Sequence, residues 1–272
     1  MRRAIKSVLD QTFNNWEIVI VDNHSQDDTD DVCESFNDAR IRLYKIHNNG
    51  VIAASRNLAI KRARGKYIAF LDSDDWWRPQ KLEKSFECLE QGNDVVYHKL
   101  WRATKPRQKI FWIRSRIREL RHPIFNDLIC NGNMLPNSSV VIRKHILEEM
   151  GGLSENIDLI TVEDFDTWLR AAKITEKFKM LPETLGFYGF GDKNTSGPIT
   201  AIKTSDVIFN YYSSGNSWWS NYAKGIAYYK VGNLDLAEKF LKRVHGNYVP
   251  YRAAIKSKIL ILYTQILRKY LC

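Results

Sequence analysis

Two rhythms of apolar and polar positions alternate along the first part of the chain. Ala4, Ile5, Val8 and Leu9 recur at helical spacing, and the run from Gln11 to Asn15 closes that helix. Residues 17–21 form a short apolar run with polar residues on both sides, the look of a buried parallel strand. A polar loop over 22–28 leads to a helix over 29–36, a strand over 41–46, and a helix over 51–64 that Gly65 is expected to stop. Tyr67 to Leu71 is a third buried strand and runs directly into acids. This βαβ rhythm predicts a doubly wound sheet, whose ligands bind beyond the carboxyl ends of the strands.

The middle is less regular. Strands are expected over 109–113 and 139–142, with a basic helix over 114–121 between them. Gly151-Gly152 breaks the chain after a helix, and Phe165, Trp168, Leu169 and Ala172 then line one face of a helix over 163–172. From Ser213 the pattern is wholly helical. Residues 221–231 and 234–244 form a hairpin around Gly232-Asn233, with Gly225, Tyr228 and Ala237 where a tetratricopeptide-like hairpin packs tightly. A final helix over 251–271 carries Ile255, Ile259, Leu262 and Ile266 on one face.

A chain of 272 residues, 44% hydrophobic and 26% charged, has the make-up of a soluble globular protein with a real core. Net charge is +10, and the surplus is uneven: Glu119 is the only acid between Lys99 and Arg121, and none follows Glu238. That favours a polyanionic partner, phosphorylated substrate or anionic lipid; no nucleic-acid motif accompanies it, so nucleic acid is not expected. Cys33, Cys88, Cys130 and Cys272 show no CxxC spacing, which argues against zinc and disulfides and for a reducing cytoplasm. No leader segment and no membrane span are expected; the apolar stretch over 259–267 is too short to cross a bilayer.

The candidate chemistry lies at strand ends. Asp22 closes one strand and Asp72-Ser73-Asp74-Asp75 closes another. Asp75, before Trp76 to Pro79, suits a helix cap. Two carboxylates two residues apart suit a hard divalent cation shared with a diphosphate, and residue chemistry leaves metal binding and structure equally open for Asp72 and Asp74. Glu163 and Asp164 stand at a helix amino end, where dipole compensation is sufficient reason for acids.

Taken in order, these segments resemble family 2 glycosyltransferases with the GT-A fold. The likeness rests on residues 4–12, on 16–22, on Asn49-Gly50 with Ala54-Ser55-Arg56-Asn57, and on the run from Gly65 to Asp75 with Pro79-Gln80-Lys81-Leu82. Gly151-Gly152-Leu153 and the run from Glu163 to Arg170 match the acceptor-side motifs. The likeness covers roughly residues 1–196. It implies an α/β, Rossmann-like nucleotide-sugar-binding domain over 1–200, followed by an all-helical extension over 213–272.

The resemblance also implies roles. Asp22 contacts the nucleotide base; Arg56 and Asp72 belong to the donor side; Asp74 ligates Mn2+ or Mg2+; and Asp164 is the base that activates the acceptor hydroxyl for inverting transfer. The expected partners are a UDP-sugar donor, a saccharide or lipid-linked acceptor, and a membrane surface at the inner face of the cytoplasmic membrane. Packing of the last helix on its own domain is the competing expectation for its apolar face. Three departures stand out. The family's opening strand has no counterpart, because the sequence begins at Met1-Arg2-Arg3; His24 stands where the family often has a glycine and is expected at positive φ; and Gly189 and Gly191 stand where many members place Arg and His, so a histidine sometimes used as a metal ligand is missing. The first departure keeps a second reading open, a catalytically impaired binding or scaffold protein.

Overall fold

The computed structural model describes residues 1–102, 113–114, 117–189, 198–212, 218–245, 249 and 251–271. They fall into two compact units, one of Met1–Ile124 with Met134–Asp192, the other of Phe125–Asn133 with Lys193–Cys272.

The first unit opens with α1 (Arg2–Leu9), β1 (Ile18–Asp22), α2 (Thr29–Glu34), β2 (Ile41–Lys45) and α3 (Ile52–Arg62). β1 and β2 pair in parallel, Ile18 opposite Ile41 and Asp22 opposite Lys45, and form a sheet of their own. Ile5 of α1 and Val32 and Cys33 of α2 pack with Ile18, Ile20, Ile41 and Leu43 into a small core. The helix α3 ends at Ala63, whose extended backbone stops it (φ −67, ψ 138), so Gly65 is not the stop that the sequence suggests.

A second sheet holds β3 (Tyr67–Ala69), β4 (Trp76–Trp77), β5 (Val95–Arg102), β6 (Ile113–Arg114), β7 (Val141–Arg143) and β8 (Phe178–Tyr188). Its order is β3-β7-β5-β8-β4, with β6 on β5. β5 and β8 run parallel, but the β3–β7, β5–β7 and β4–β8 pairs are antiparallel, so the purely parallel sheet suggested by the βαβ rhythm ends after β2. Cys88 and Leu89 of α4 (Lys81–Glu90) pack on Val96 and Val141 beneath Tyr67, Ala69 and Leu181. Each fully buried aliphatic side chain here contributes about 1.5–3 kcal/mol.

Side chains tie α1 to the second sheet: Ser7 Oγ accepts the Trp77 N–H at 3.1 Å, and Gln11 reaches the Arg78 carbonyl (2.8 Å) and the Leu82 N–H (2.9 Å). Trp76 and Trp77 are strand, not the start of a helix, so Asp75 caps nothing. Residues 117–121 are not helical, which corrects the basic helix expected there; of the strand expected over 109–113, Ile113 is in β6 and 109–112 lie outside the described residues. After β7 come α6 (Lys144–Glu149), Gly151 and Gly152 at φ +73 and +84, and α7 (Glu163–Ile174), whose Phe165, Trp168, Leu169 and Ala172 are buried as their spacing predicts.

The second unit is helical: α5 (Ile124–Asn131, all but its first residue), α8 (Pro198–Tyr212), α9 (Trp218–Lys230), α10 (Leu234–Leu241) and α11 (Tyr251–Leu271). The helical series thus begins at Pro198, upstream of Ser213. Gly232 takes φ +79 to turn α9 into α10, and Asn233 Oδ1 caps α10 by accepting the Leu236 N–H. Gly225 lets the two helices close: a Cβ there would lie 2.6 Å from Leu241 Cγ. Tyr228 stacks on Phe240 at 5.6 Å, and Ala237 is fully buried.

Candidate functional site

The segment after β3 is held from below by a polar turn. Residues 137–139 form one 3-10 turn before β7, and Ser138 Oγ accepts the Asp72 N–H at 3.0 Å while Asn137 Nδ2 donates to Asp72 Oδ1 at 2.9 Å. The Asp75 N–H returns to the Asp72 carbonyl at 3.0 Å, which curls the four-residue acidic segment on itself.

Arg56, from α3, joins that segment to α7. Its Nη2 donates to Asp72 Oδ1 at 3.0 Å and its Nη1 to Glu163 Oε1 at 2.6 Å. Burial alone would lower this guanidinium, yet Asp72, Glu163 and Asp164 around it raise it instead. A planar fork that holds two carboxylates at once is a role for arginine and not for lysine. Asp164, next to Glu163 at the start of α7, is half-buried and accepts the Phe165 N–H at 2.6 Å. Burial and the Glu163 charge push its carboxyl up to about 7, against the pull of Arg56. A carboxylate poised there is suited to take and return a proton near neutral pH.

Asp74 is exposed, and its carboxylate accepts no hydrogen bond among the described residues; its carbonyl accepts from Arg3 Nη2 at 3.1 Å, and the Arg3 guanidinium lies 3.3 Å from the Trp76 ring centre. Asp75 points inward. Burial lifts its carboxyl to about 7, and its Oδ1 accepts the Gly189 N–H at 2.7 Å. Gly189 has a steric reason to be glycine: a Cβ there would sit 2.1 Å from the Asp74 carbonyl oxygen. No side chain has room at this backbone crossing.

Asp22 ends β1 nearly buried, wrapped by Ser25, whose N–H lies 3.0 Å from Oδ2 and whose Oγ lies 2.6 Å from Oδ1; Lys45 Nζ is 3.6 Å away. His24 takes φ +52, as its place in a glycine position predicts, and stacks on His47 at 3.9 Å between ring centres. The structure therefore gathers Arg56, Asp72 and Asp164 with Glu163 in one charge network, sets Asp74 at its exposed edge, and gives Asp22 a separate hydrogen-bonded loop. No three His, Cys, Asp or Glu side chains converge as a metal cluster among the described residues.

Sequence reading passed over Asn137, Ser138 and Arg3. The signal for the first two was a polar Asn-Ser-Ser run just before an apolar strand, all three residues buried. Arg3 carried no signal, because its partners lie 71 residues away.

The sequence matches the family profile described as Glycosyl transferase family 2 over residues 1–151, more than half of the chain. The putative teichuronic acid biosynthesis glycosyltransferase TuaG of Bacillus subtilis is 46% identical over 88 residues, 32% of this chain and 35% of that protein. An uncharacterized glycosyltransferase of Methanocaldococcus jannaschii, MJ1057, is 26% identical over 247 residues, 85% of this chain and 79% of its own. WfaP of Escherichia coli, a UDP-Glc:alpha-D-GlcNAc-diphosphoundecaprenol beta-1,3-glucosyltransferase, is 30% identical over 172 residues, 61% of this chain and 62% of that protein. The chain thus spans about a third of TuaG and under two thirds of WfaP. Among solved structures, S. aureus TarS 1-349 in complex with UDP superposes with a TM-score of 0.55 at 16% identity, covering 97% of this chain and 82% of that one. Fold likeness, the ordered motifs and the matched profile agree: the chain belongs to glycosyl transferase family 2 and has its GT-A fold with added helices.

Proposed function

We propose that this protein transfers a sugar from a UDP-sugar to a hydroxyl of a lipid-linked saccharide, with inversion at the anomeric carbon. The carrying observation is the Arg56 bridge, which couples the donor-side carboxylate Asp72 to the helix start that bears Asp164. In the proposed reaction Asp164 takes the acceptor hydroxyl proton as that oxygen attacks the anomeric carbon. The new C–O bond forms as the bond to the diphosphate breaks, and the nucleoside diphosphate leaves with the electron pair. Arg56 fixes Asp72 and Glu163, so that neither carboxylate has to reorganise during transfer.

The exposed Asp74, with Asp72 two residues before it, suits a Mn2+ or Mg2+ ion that is held by one or two carboxylates and completed by substrate phosphates. Such an ion supplies charge stabilisation to the departing diphosphate. Asp22, at the carboxyl end of β1, is our candidate for the base contact. The donor nucleotide and the diphosphoundecaprenol-linked acceptor are taken from WfaP and from the UDP complex of TarS. An acceptor of that class is presented at a membrane surface, and we place the reaction at the inner face of the cytoplasmic membrane. A poised Asp164 and an Arg56 forked between two carboxylates favour catalysis over a scaffold role, which needs neither.

The test is a panel of nucleotide sugars incubated with Mn2+ and a saccharide-diphosphate lipid, read as nucleoside diphosphate release and as the anomeric configuration of the product by NMR. Release that depends on both acceptor and metal, with inverted product, is expected. Retained configuration, or no transfer with any donor, would refute the reading.

A further inference from the structure

The last helix is turned in an unusual sense. With about 3.6 residues per turn, Ile255, Ile259, Leu262 and Ile266 lie on one face of α11, and all four are exposed, at 38, 48, 57 and 41%. The face turned to its own unit is small and partly polar: Ala253, Ser257 and Thr264 are at most 7% exposed. Ser257 Oγ donates to the Ala253 carbonyl and Thr264 Oγ1 to the Ile261 carbonyl, so both hydroxyls are satisfied within the helix. Gln265 Nε2 donates to Glu238 Oε1 of α10 at 2.9 Å. Packing of the apolar face on its own domain, the competing expectation, is therefore not what this helix does.

Cations border the stripe. Arg252 and Lys256, both exposed, lie along one flank together with Tyr263, and Lys258 lies on the other. No acid occurs after Glu238, and Arg268 and Lys269 follow in sequence. A second copy packing on Ile259 and Leu262 would set like charges rim to rim, whereas an anionic bilayer suits a wholly basic rim, with long stems that reach the headgroups while the isoleucines enter the acyl boundary. No helix among the described residues is long and apolar enough to cross a membrane, so the contact is one of lying on the surface.

We infer that the exposed face of α11 is a docking surface for an anionic lipid bilayer. This deepens the proposed membrane setting of the reaction, but it stands on α11 alone and is tested without donor or acceptor, so that failure of transfer and failure of docking are separate results.

The experiment is sedimentation of the full chain with vesicles of phosphatidylcholine alone and with vesicles containing phosphatidylglycerol. Binding is expected only to the second, and it should weaken as salt rises. Each basic residue near an anionic surface contributes roughly fivefold in affinity, so neutralising three of them in R252Q/K256Q/K258Q should weaken binding on the order of a hundredfold. I259S/L262S should lose binding while keeping the far-UV spectrum and melting temperature of the parent, because both side chains are exposed. Equal sedimentation with neutral and anionic vesicles, or none with either, would overturn the inference. So would a dimer in analytical ultracentrifugation that I259S/L262S dissociates, since a second copy would then own the face.

Discussion

Replacing Asp164 by asparagine should weaken the enzyme and strengthen the fold, and both effects can be worked from one number. The Asp164 carboxyl is raised from 3.8 to about 7 by burial and by Glu163. Between those values the native protein holds a proton that the unfolded chain has released, so ionising Asp164 in the fold opposes folding, and stability falls as pH rises through that window. The shift is about 3 units at 1.36 kcal/mol each, a limit of about 4 kcal/mol reached above pH 7. Asparagine keeps the oxygen that accepts the Phe165 N–H and loses the charge, so Asp164→Asn should gain about 2 to 4 kcal/mol at pH 8 and nothing at pH 4. At roughly 2–4 °C per kcal/mol for a chain near this size, that is a rise of several degrees in melting temperature. Turnover should drop about 10²- to 10⁴-fold, as for loss of a general base, and the parental acid limb near pH 7 should vanish from what activity remains. Donor affinity should stay at the parental value. Thermal melts at the two pH values, single-turnover rates across pH and donor titration give the four readings. A variant no more stable than the parent at pH 8, with its acid limb intact, would refute both the poised carboxyl and its role.

Three further outcomes are expected. Asp74→Asn should remove metal-dependent donor binding in calorimetry while leaving the melting temperature near the parental one, since that carboxylate is exposed and accepts no hydrogen bond among the described residues. Gly189→Ala forces a Cβ to 2.1 Å from the Asp74 carbonyl oxygen; because backbone has to give, a loss of about 1–3 kcal/mol is expected by denaturant melts, with weakened donor binding. Lys81 is fully buried over the Trp77 ring, and burial holds its amine well below the ordinary 10.5. The native state then binds fewer protons than the unfolded chain, so Lys81→Met should stabilise by roughly 1–3 kcal/mol at neutral pH, and the gain should shrink as pH rises toward 10.5.

What sequence could reveal here follows the range of the interactions. β1, α1, α3 and α7 are written in local periodicity, and the strand-end acids advertise themselves because a charge cluster after an apolar run has few structural uses. Asp75 misleads for a physical reason: Trp76 and Trp77 form a strand too short to show any period, and their pairing with Gly186 and Phe187 is set across the sheet. The Arg56 fork is half legible. Its place in a motif marks it, but Glu163 lies 107 residues away and is brought in only by packing of α7. Nor could hydropathy say which way α11 turns; Ser257 and Thr264 read as polar, and their hydroxyls are hidden only because they bond to their own helix.

The separateness of β1 and β2 bears on how a donor is held. Among the strands described, these two exchange backbone hydrogen bonds only with each other, and their small core is distinct from the one beneath β3, β5 and β7. Asp22 ends β1, and α3, which packs against β1, carries the Arg56 that joins Asp72 to Glu163 of α7. In the proposed donor complex a nucleotide reaching from Asp22 to Asp72 would therefore touch both sheets, with α3 between them. A contact made at Asp22 would then reach Arg56 and its two carboxylates through one helix, without passing along the second sheet.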